Sequence, residues 1–127
     1  MNRGAYCLII KVDNDKKIKV NKRTILFKKG YYCYVGSAMN NLDKRIERHK
    51  SQDKKMHWHI DYLLNHSEIV DVKRFESYET EECNIAKEIS TIADYEIESF
   101  GCSDCKCNSH LFHFKSNPIK KITNQQA

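Results

Sequence analysis

The sequence predicts an α+β fold: a small antiparallel sheet of about three central strands flanked by helices. Three observations carry that prediction. Residues 4–12 and 31–36 are apolar, aromatic and β-branched runs closed by turn residues, the composition of half-buried strands. Leu42 and Ile46 recur four residues apart, which gives segment 42–50 the single apolar stripe of a surface helix. The links between the N-terminal runs are short and rich in turn residues, as antiparallel neighbours require. A chain of 127 residues holds one domain with a modest core, expected over residues 1–115.

After a short lead, residues 4–12 read as the first strand, stopped by the turn-forming cluster Asp13-Asn14-Asp15. Residues 18–20 and 24–27 follow as a second strand or as the arms of a broken hairpin, with Asn21-Lys22 between them. Together with strand 31–36, entered through Lys29-Gly30, they favour an antiparallel meander. Gly36-Ser37 breaks that strand, and Asn40-Asn41 offers side-chain oxygens where helix 42–50 begins. A polar link leads to a second helix over 57–64, with Trp58, Leu63 and Leu64 as apolar bulk. Residues 68–78 read as a strand. Glu79-Thr80-Glu81-Glu82 opens a third helix, acidic in its first turn as the helix dipole favours, with Ile85, Ala86, Ile89 and Ile92 as its buried stripe. Residues 94–99 are acidic and loop-like, 110–114 form a short aromatic strand, and 116–127 are expected as a flexible tail.

No apolar run approaches the roughly 20 residues of a membrane span. The N-terminus enters a strand without a small-residue cleavage site, so the expected location is the cytoplasm. Charge is distributed unevenly. Residues 1–56 hold 15 Lys and Arg against 5 Asp and Glu, while residues 57–127 hold 7 against 12. A basic half of this kind suits nucleic acid, because released counterions drive association. Lys28, Lys29, Arg48 and Lys50 are the candidate phosphate contacts. Lys16, Lys17, Lys19, Lys22 and Arg23 fit equally a solvated hairpin.

Six cysteines in a chain without an export signal argue against a disulfide framework. Cys7, Cys33 and Cys83 sit in apolar contexts and read as buried small hydrophobes. Cys102, Cys105, Cys107 and His110 fall within nine residues and are candidate Zn²⁺ ligands. Their spacing is not that of a finger with two separated pairs, and a better set borrows His57 or His59 from the second helix; those two histidines converge on each other only if one precedes the helix. Buried thiols or an oxidised pair are the alternatives.

Arg45 and His49 share a helix face distinct from that of Leu42 and Ile46. A guanidinium that forks onto phosphate oxygens and an imidazole that trades a proton near neutral pH suit a phosphate substrate. Gly4-Ala5-Tyr6 leading into one strand, Tyr34-Val35-Gly36 ending another, and Leu42-x-x-Arg45-x-x-x-His49 then follow in order, with Glu82 at the head of an amphipathic helix. This series resembles the GIY-YIG nuclease superfamily from residue 4 to about residue 114. It is most similar to a small stand-alone branch in archaea and bacteria that carries the strings HWHIDYLL and SDCxCxSHLF.

The resemblance implies a metal-dependent endonuclease that hydrolyses DNA phosphodiester bonds, with repair or processing as its setting. It assigns Mg²⁺ or Mn²⁺ to Glu82, the phosphate clamp to Arg45 and the general base to Tyr6. A basic role for Tyr6 requires nearby positive charge to lower its phenol below about 10. Tyr34 and His49 would position water or relay protons. Gly36, Ser109 and His110 are implied substrate contacts. Two departures stand out: Ala5 replaces the middle isoleucine of the first motif, and the asparagine often found late in the superfamily's domain has no clear counterpart, its region being occupied by Asn108-Ser109-His110. A domain of the same fold that binds nucleic acid without cutting it, with a structural metal at the cysteine cluster, is the rival reading.

Overall fold

Residues 5–10 are at most 1% exposed, which a strand with one wet face cannot achieve. Their strand, β1 (Gly4–Val12), is the centre of the molecule, and the computed structural model describes it together with the rest of residues 1–101 and 107–125. The elements that follow are β2 (Lys16–Val20), β3 (Arg23–Phe27), β4 (Gly30–Ala38), α1 (Leu42–Lys50), α2 (His59–Leu64), β5 (Glu68–Glu76), α3 (Glu82–Ser90), β6 (Tyr95–Glu96), β7 (Leu111–Phe114) and α4 (Ile119–Gln125). The fold is α+β, with an antiparallel five-stranded sheet in the order β5-β1-β4-β7-β6 and a separate two-stranded sheet, β2-β3.

Strand alternation divides the core in two. Tyr6, Leu8, Ile10 and Val12 face the β2-β3 hairpin and the apolar sides of α1 and α2, where Leu42, Ile46, Ile60 and Leu63 are buried. Ala5, Cys7 and Ile9 face α3 and α4, meeting Ile85, Ala86, Ile89 and Ile122. The expected meander is replaced by direct pairing of β1 with β4 over nine residue pairs, while the hairpin folds across one face. Its physical reason is visible in the hairpin itself: only alternate residues, Ile18, Val20, Ile25 and Phe27, are buried. The hairpin turns on Asn21, whose φ of 58° is a conformation asparagine tolerates.

Element boundaries differ from the sequence expectation in several places: the strand expected over 68–78 ends at Glu76, and the third helix, expected from Glu79, begins at Glu82. The second helix begins at His59 rather than at residue 57, because the Asp61 carboxylate accepts the backbone N–H groups of His57 and Trp58, at 2.9 Å each, and holds them outside the helix. Residues 95–96 form a short strand on β7 within the segment read as loop. The expected tail of 116–127 contains α4. A seven-residue helix is not stable alone, but Ile122 is 1% exposed in the second core, and burial of such a side chain contributes about 1.5–3 kcal/mol. Among the described residues, no helix is long and apolar enough to cross a membrane.

The topology brings two helix starts to one end of the sheet. Ala38, where β4 ends before α1, pairs with Gly4, and Gly4 pairs on its other side with Glu76, where β5 ends before α3. His110, the residue before β7, joins the same end, its carbonyl accepting the Val35 N–H at 2.9 Å. Helices on opposite faces thus present their first turns to a common edge.

Candidate active site and metal centre

Tyr6 lies directly across from Gly36 in the β1–β4 register, and its ring covers the glycine. A Cβ on Gly36 would come within 2.5 Å of the Tyr6 hydroxyl, so this strand position has to be glycine for the tyrosine to lie flat against it. The Tyr34 ring stands on the same face, 6.5 Å from that of Tyr6. Tyr6 Oη is 2.6 Å from His49 Nε2, and His49, buried at the end of α1, stands behind the tyrosine. One turn earlier on α1, Arg45 donates from Nη1 to the Ser37 carbonyl at 2.9 Å, and its guanidinium lies 4.6 Å over the Trp58 ring. Asn41 caps that helix as expected, accepting the Lys44 N–H at 3.0 Å.

Glu82 arrives from the other face. It is the first residue of α3, and its Oε1 accepts from Ser37 Oγ at 3.0 Å while Oε2 lies 3.2 Å from His110 Nδ1. Tyr6, Tyr34, Gly36, Arg45, Glu82 and His110 all line one cavity of about 520 Å³, within the range typical of small-molecule sites. Ser37, Trp58 and Asn21 line it too, and no motif in the sequence points to them as site residues.

The electrostatics differ from the expectation in one respect. Burial pushes the Tyr6 phenol well above its ordinary range, and the opposing pull of Arg45 does not overcome it. Tyr34 is raised for the same reason, with the neighbouring Tyr6 and Glu82 adding to burial. Burial also pushes His49 down to about 3, helped by the Lys54 charge, so at neutral pH it is an uncharged imidazole. Tyr6 and His49 are therefore a neutral pair joined by a short hydrogen bond. Burial would raise Glu82, but hydrogen bonds from His110 and Ser37 and the Arg45 charge outweigh it and hold the carboxyl below its usual range. The cavity thus carries an ionised carboxylate facing a guanidinium.

The predicted phosphate contacts divide. Arg48 does not line the cavity: Nη1 and Nη2 each lie 3.0 Å from the two oxygens of Asp61, Nη2 also donates to the Lys55 carbonyl, and the guanidinium lies 4.3 Å over Trp58. Asp61 is fully buried, so this fork is an internal anchor that holds Trp58 in place. Lys28 and Lys29 are exposed at the far end of β4, roughly 20 Å along the strand from Gly36. Lys50 is exposed at the end of α1, on the outer side of the helix's last turn. Ser109 is buried and exchanges hydrogen bonds with the Leu111 backbone, away from the cavity.

The predicted zinc set is also rearranged. Cys102 and Cys105 lie outside the described residues. His57 and His59 line the cavity, where His59 Nδ1 accepts the Gly101 N–H at 3.0 Å. The group that could hold a metal among the described residues is Cys83, Cys107 and His110, whose ligand atoms all lie within 4.8 Å of one another. The sequence suggests Cys83 as a buried small hydrophobe; in the structure it is half-buried, in the first turn of α3 beside Glu82. Its 24-residue separation from Cys107 hid the pairing, and its adjacency to an acidic helix start was the available signal.

No curated protein and no solved structure matches the chain. Residues 5–127 match the family model described as Domain of unknown function DUF123, and the chain belongs to that family.

Proposed function

We infer that the protein is a metal-dependent endonuclease that hydrolyses DNA phosphodiester bonds. The observation that carries this reading is the meeting of Glu82, Arg45 and Tyr6 on one cavity, with His49 bonded to Tyr6 from behind. The order of GAY, YVG, Arg45, His49 and Glu82 along the chain supports it through the resemblance to GIY-YIG nucleases, and the basic first half of the sequence suits a polyanion.

The donor set at Glu82 fits a hard divalent cation. Mg²⁺ and Mn²⁺ take oxygen ligands, and Mg²⁺ keeps several waters, so one ionised carboxylate plus substrate phosphate suffices. When bound, such a cation neutralises charge on the phosphate and on the departing oxygen. Arg45, fixed by Ser37 and Trp58, binds a non-bridging phosphate oxygen and stabilises the charge that grows there. Tyr6 donates to the uncharged His49, which turns its oxygen lone pairs towards a water in the cavity. As that water attacks phosphorus, its proton passes to the Tyr6 oxygen, the phenolic proton passes to His49 Nε2, and the P–O bond to the departing oxygen breaks, that oxygen then taking a proton from solvent. Asp61 favours the resulting imidazolium. Tyr6 thus works through His49 and needs no standing phenolate.

Incubating the purified protein with labelled duplex, flap and single-stranded DNA, with Mg²⁺, Mn²⁺ or chelator, tests the reading. Metal-dependent cleavage of at least one structure is expected. Salt-sensitive binding without cleavage in either metal would make the protein a non-catalytic nucleic-acid-binding module. Indifference to DNA would remove nucleic acid altogether.

A further inference from the structure

His110 stands between two chemistries. Its Nδ1 lies 3.1 Å from the Val35 carbonyl and 3.2 Å from Glu82 Oε2, and a backbone carbonyl can only accept. Nδ1 therefore carries the proton, and in the neutral ring the opposite nitrogen, Nε2, presents a lone pair. That nitrogen lies 3.9 Å from Cys83 Sγ, and Cys107 Sγ completes a triangle within 4.8 Å. A tetrahedral zinc with bonds of about 2.3 Å to sulfur and 2.0 Å to nitrogen holds its ligand atoms roughly 3.5–3.8 Å apart. From separations of up to 4.8 Å, the triangle needs to tighten by about 1 Å, within reach of side-chain rotation.

We propose that Cys83, Cys107 and His110 Nε2 bind a thiophilic divalent cation of the zinc class, and that this metal fixes His110 so that Nδ1–H orients the Glu82 carboxylate. Two sulfurs and an imidazole select such a metal over Mg²⁺, which prefers oxygen. The histidine has the partner typical of a metal ligand, its distal N–H held by a carbonyl and a carboxylate. Cys83 and Cys107 line a separate cavity of about 310 Å³, which gives the ion a way in without crossing the site of Glu82. These three ligands are the ones among the described residues, and a tetrahedral ion takes a fourth donor, from the protein or from water. Metal binding ties the first turn of α3 to the residues before β7, two segments 24 positions apart in sequence. His110 is a positioning residue here, and that role rests on Glu82 being the hard-metal ligand proposed above.

The test uses the full chain stripped of metal under reducing conditions and titrated with Co²⁺. One equivalent should bind with a thiolate-to-cobalt charge-transfer band, displaced by Zn²⁺, and the band should be lost in Cys83→Ser and in Cys107→Ser. His110→Gln should keep thiolate bands but bind more weakly, and Glu82→Gln should leave cobalt binding intact. Mn²⁺ affinity, read from the free-ion EPR signal without DNA, should fall about 10- to 100-fold when Zn²⁺ is absent or His110 is replaced, the usual scale for losing an outer-shell partner. Absence of a charge-transfer band, or a Cys83–Cys107 disulfide that persists under reduction in place of metal uptake, overturns the thiolate site. Unchanged Mn²⁺ affinity after zinc removal overturns its link to Glu82. DNA cleavage that survives either failure leaves the nuclease reading standing, whereas a loaded thiolate site in a protein that cuts nothing leaves this site standing and removes the other.

Discussion

Tyr6 Oη and His49 Nε2 are 2.6 Å apart, and neither group is charged. A buried phenol and a buried imidazole each resist ionisation, so the pair is stable only as a neutral donor and acceptor. This relationship has a consequence that can be measured without a substrate. Burial keeps His49 unprotonated in the folded chain down to about pH 3, whereas an exposed imidazole takes its proton near 6.5. Between those values the unfolded chain binds a proton that the folded chain refuses.

Stability should therefore rise with pH across that window. The His49 contribution is complete above about pH 6.5 and is lost progressively as pH falls towards 3, amounting to on the order of 3–5 kcal/mol at the acid limit. Urea unfolding at pH 7, 5.5 and 4.5 measures it. His49→Gln, which keeps a polar partner for Tyr6 but cannot titrate, should flatten the dependence. An unchanged slope would assign the acid sensitivity to carboxylates instead.

Gly36 sets how closely Tyr6 approaches β4. Adding a methyl at 2.5 Å from the phenolic oxygen forces the ring to move, at a cost of about 1–3 kcal/mol for overpacking. Gly36→Ala should lower the melting temperature and also break the Tyr6–His49 bond, so DNA cleavage should fall more than stability does. Cleavage at the parental level with normal Tm would mean that the ring position is not important to the chemistry.

Asp61 is the counter-charge on which Arg48 and the start of α2 depend. Replacing it with Asn leaves a guanidinium facing a neutral group in a buried setting, and breaking such a pair typically costs about 3–5 kcal/mol. Asp61→Asn and Arg48→Ala should each destabilise strongly, and the double variant should cost less than their sum. Strict additivity in urea titrations would show the two groups to be independent. A charge reversal at Arg48 reports on folding rather than on DNA contact for the same reason.

Much of this arrangement is legible in the sequence because it is local. Apolar strand composition locates β1 and β4, and the four-residue spacing of Leu42 with Ile46 and of Arg45 with His49 orients α1. Long-range pairing is where single-sequence reasoning stops. Periodicity gives no sign that β2 and β3 leave the main sheet, since their alternation fits either an edge arm or a separate hairpin. Arg48 has the composition of a phosphate contact and differs from Lys50 only in having Asp61 thirteen residues on, at the right depth. Cys83 is silent because its partner atoms come from residues 107 and 110. The Tyr6 phenol is raised rather than lowered because burial depends on packing from both core layers, which no three-residue motif encodes.

On the proposed function, substitutions at Glu82 and Arg45 distinguish cutting from binding. Glu82→Gln keeps the volume and the Ser37 hydrogen bond but removes the ionised oxygen that a hard cation requires. Arg45→Ala removes the clamp and leaves Leu42 and Ile46 in the core, on a helix that alanine suits. Both variants should fold with nearly parental Tm and bind DNA, Arg45→Ala somewhat more weakly. Cleavage should fall by at least about 10²-fold in each, the scale for removing one partner of transition-state charge. Glu81→Ala is the control: Glu81 immediately precedes α3, where its Oε2 accepts from Asn84 Nδ2 at 3.1 Å, and it does not line the cavity. Its cleavage should match the parent apart from a small loss of stability. Equal losses at Glu81 and Glu82 would indicate damage to the helix start rather than to a metal site. Full cleavage in Glu82→Gln would move the cation elsewhere in the cavity, and with it the chemistry assigned to this edge of the sheet.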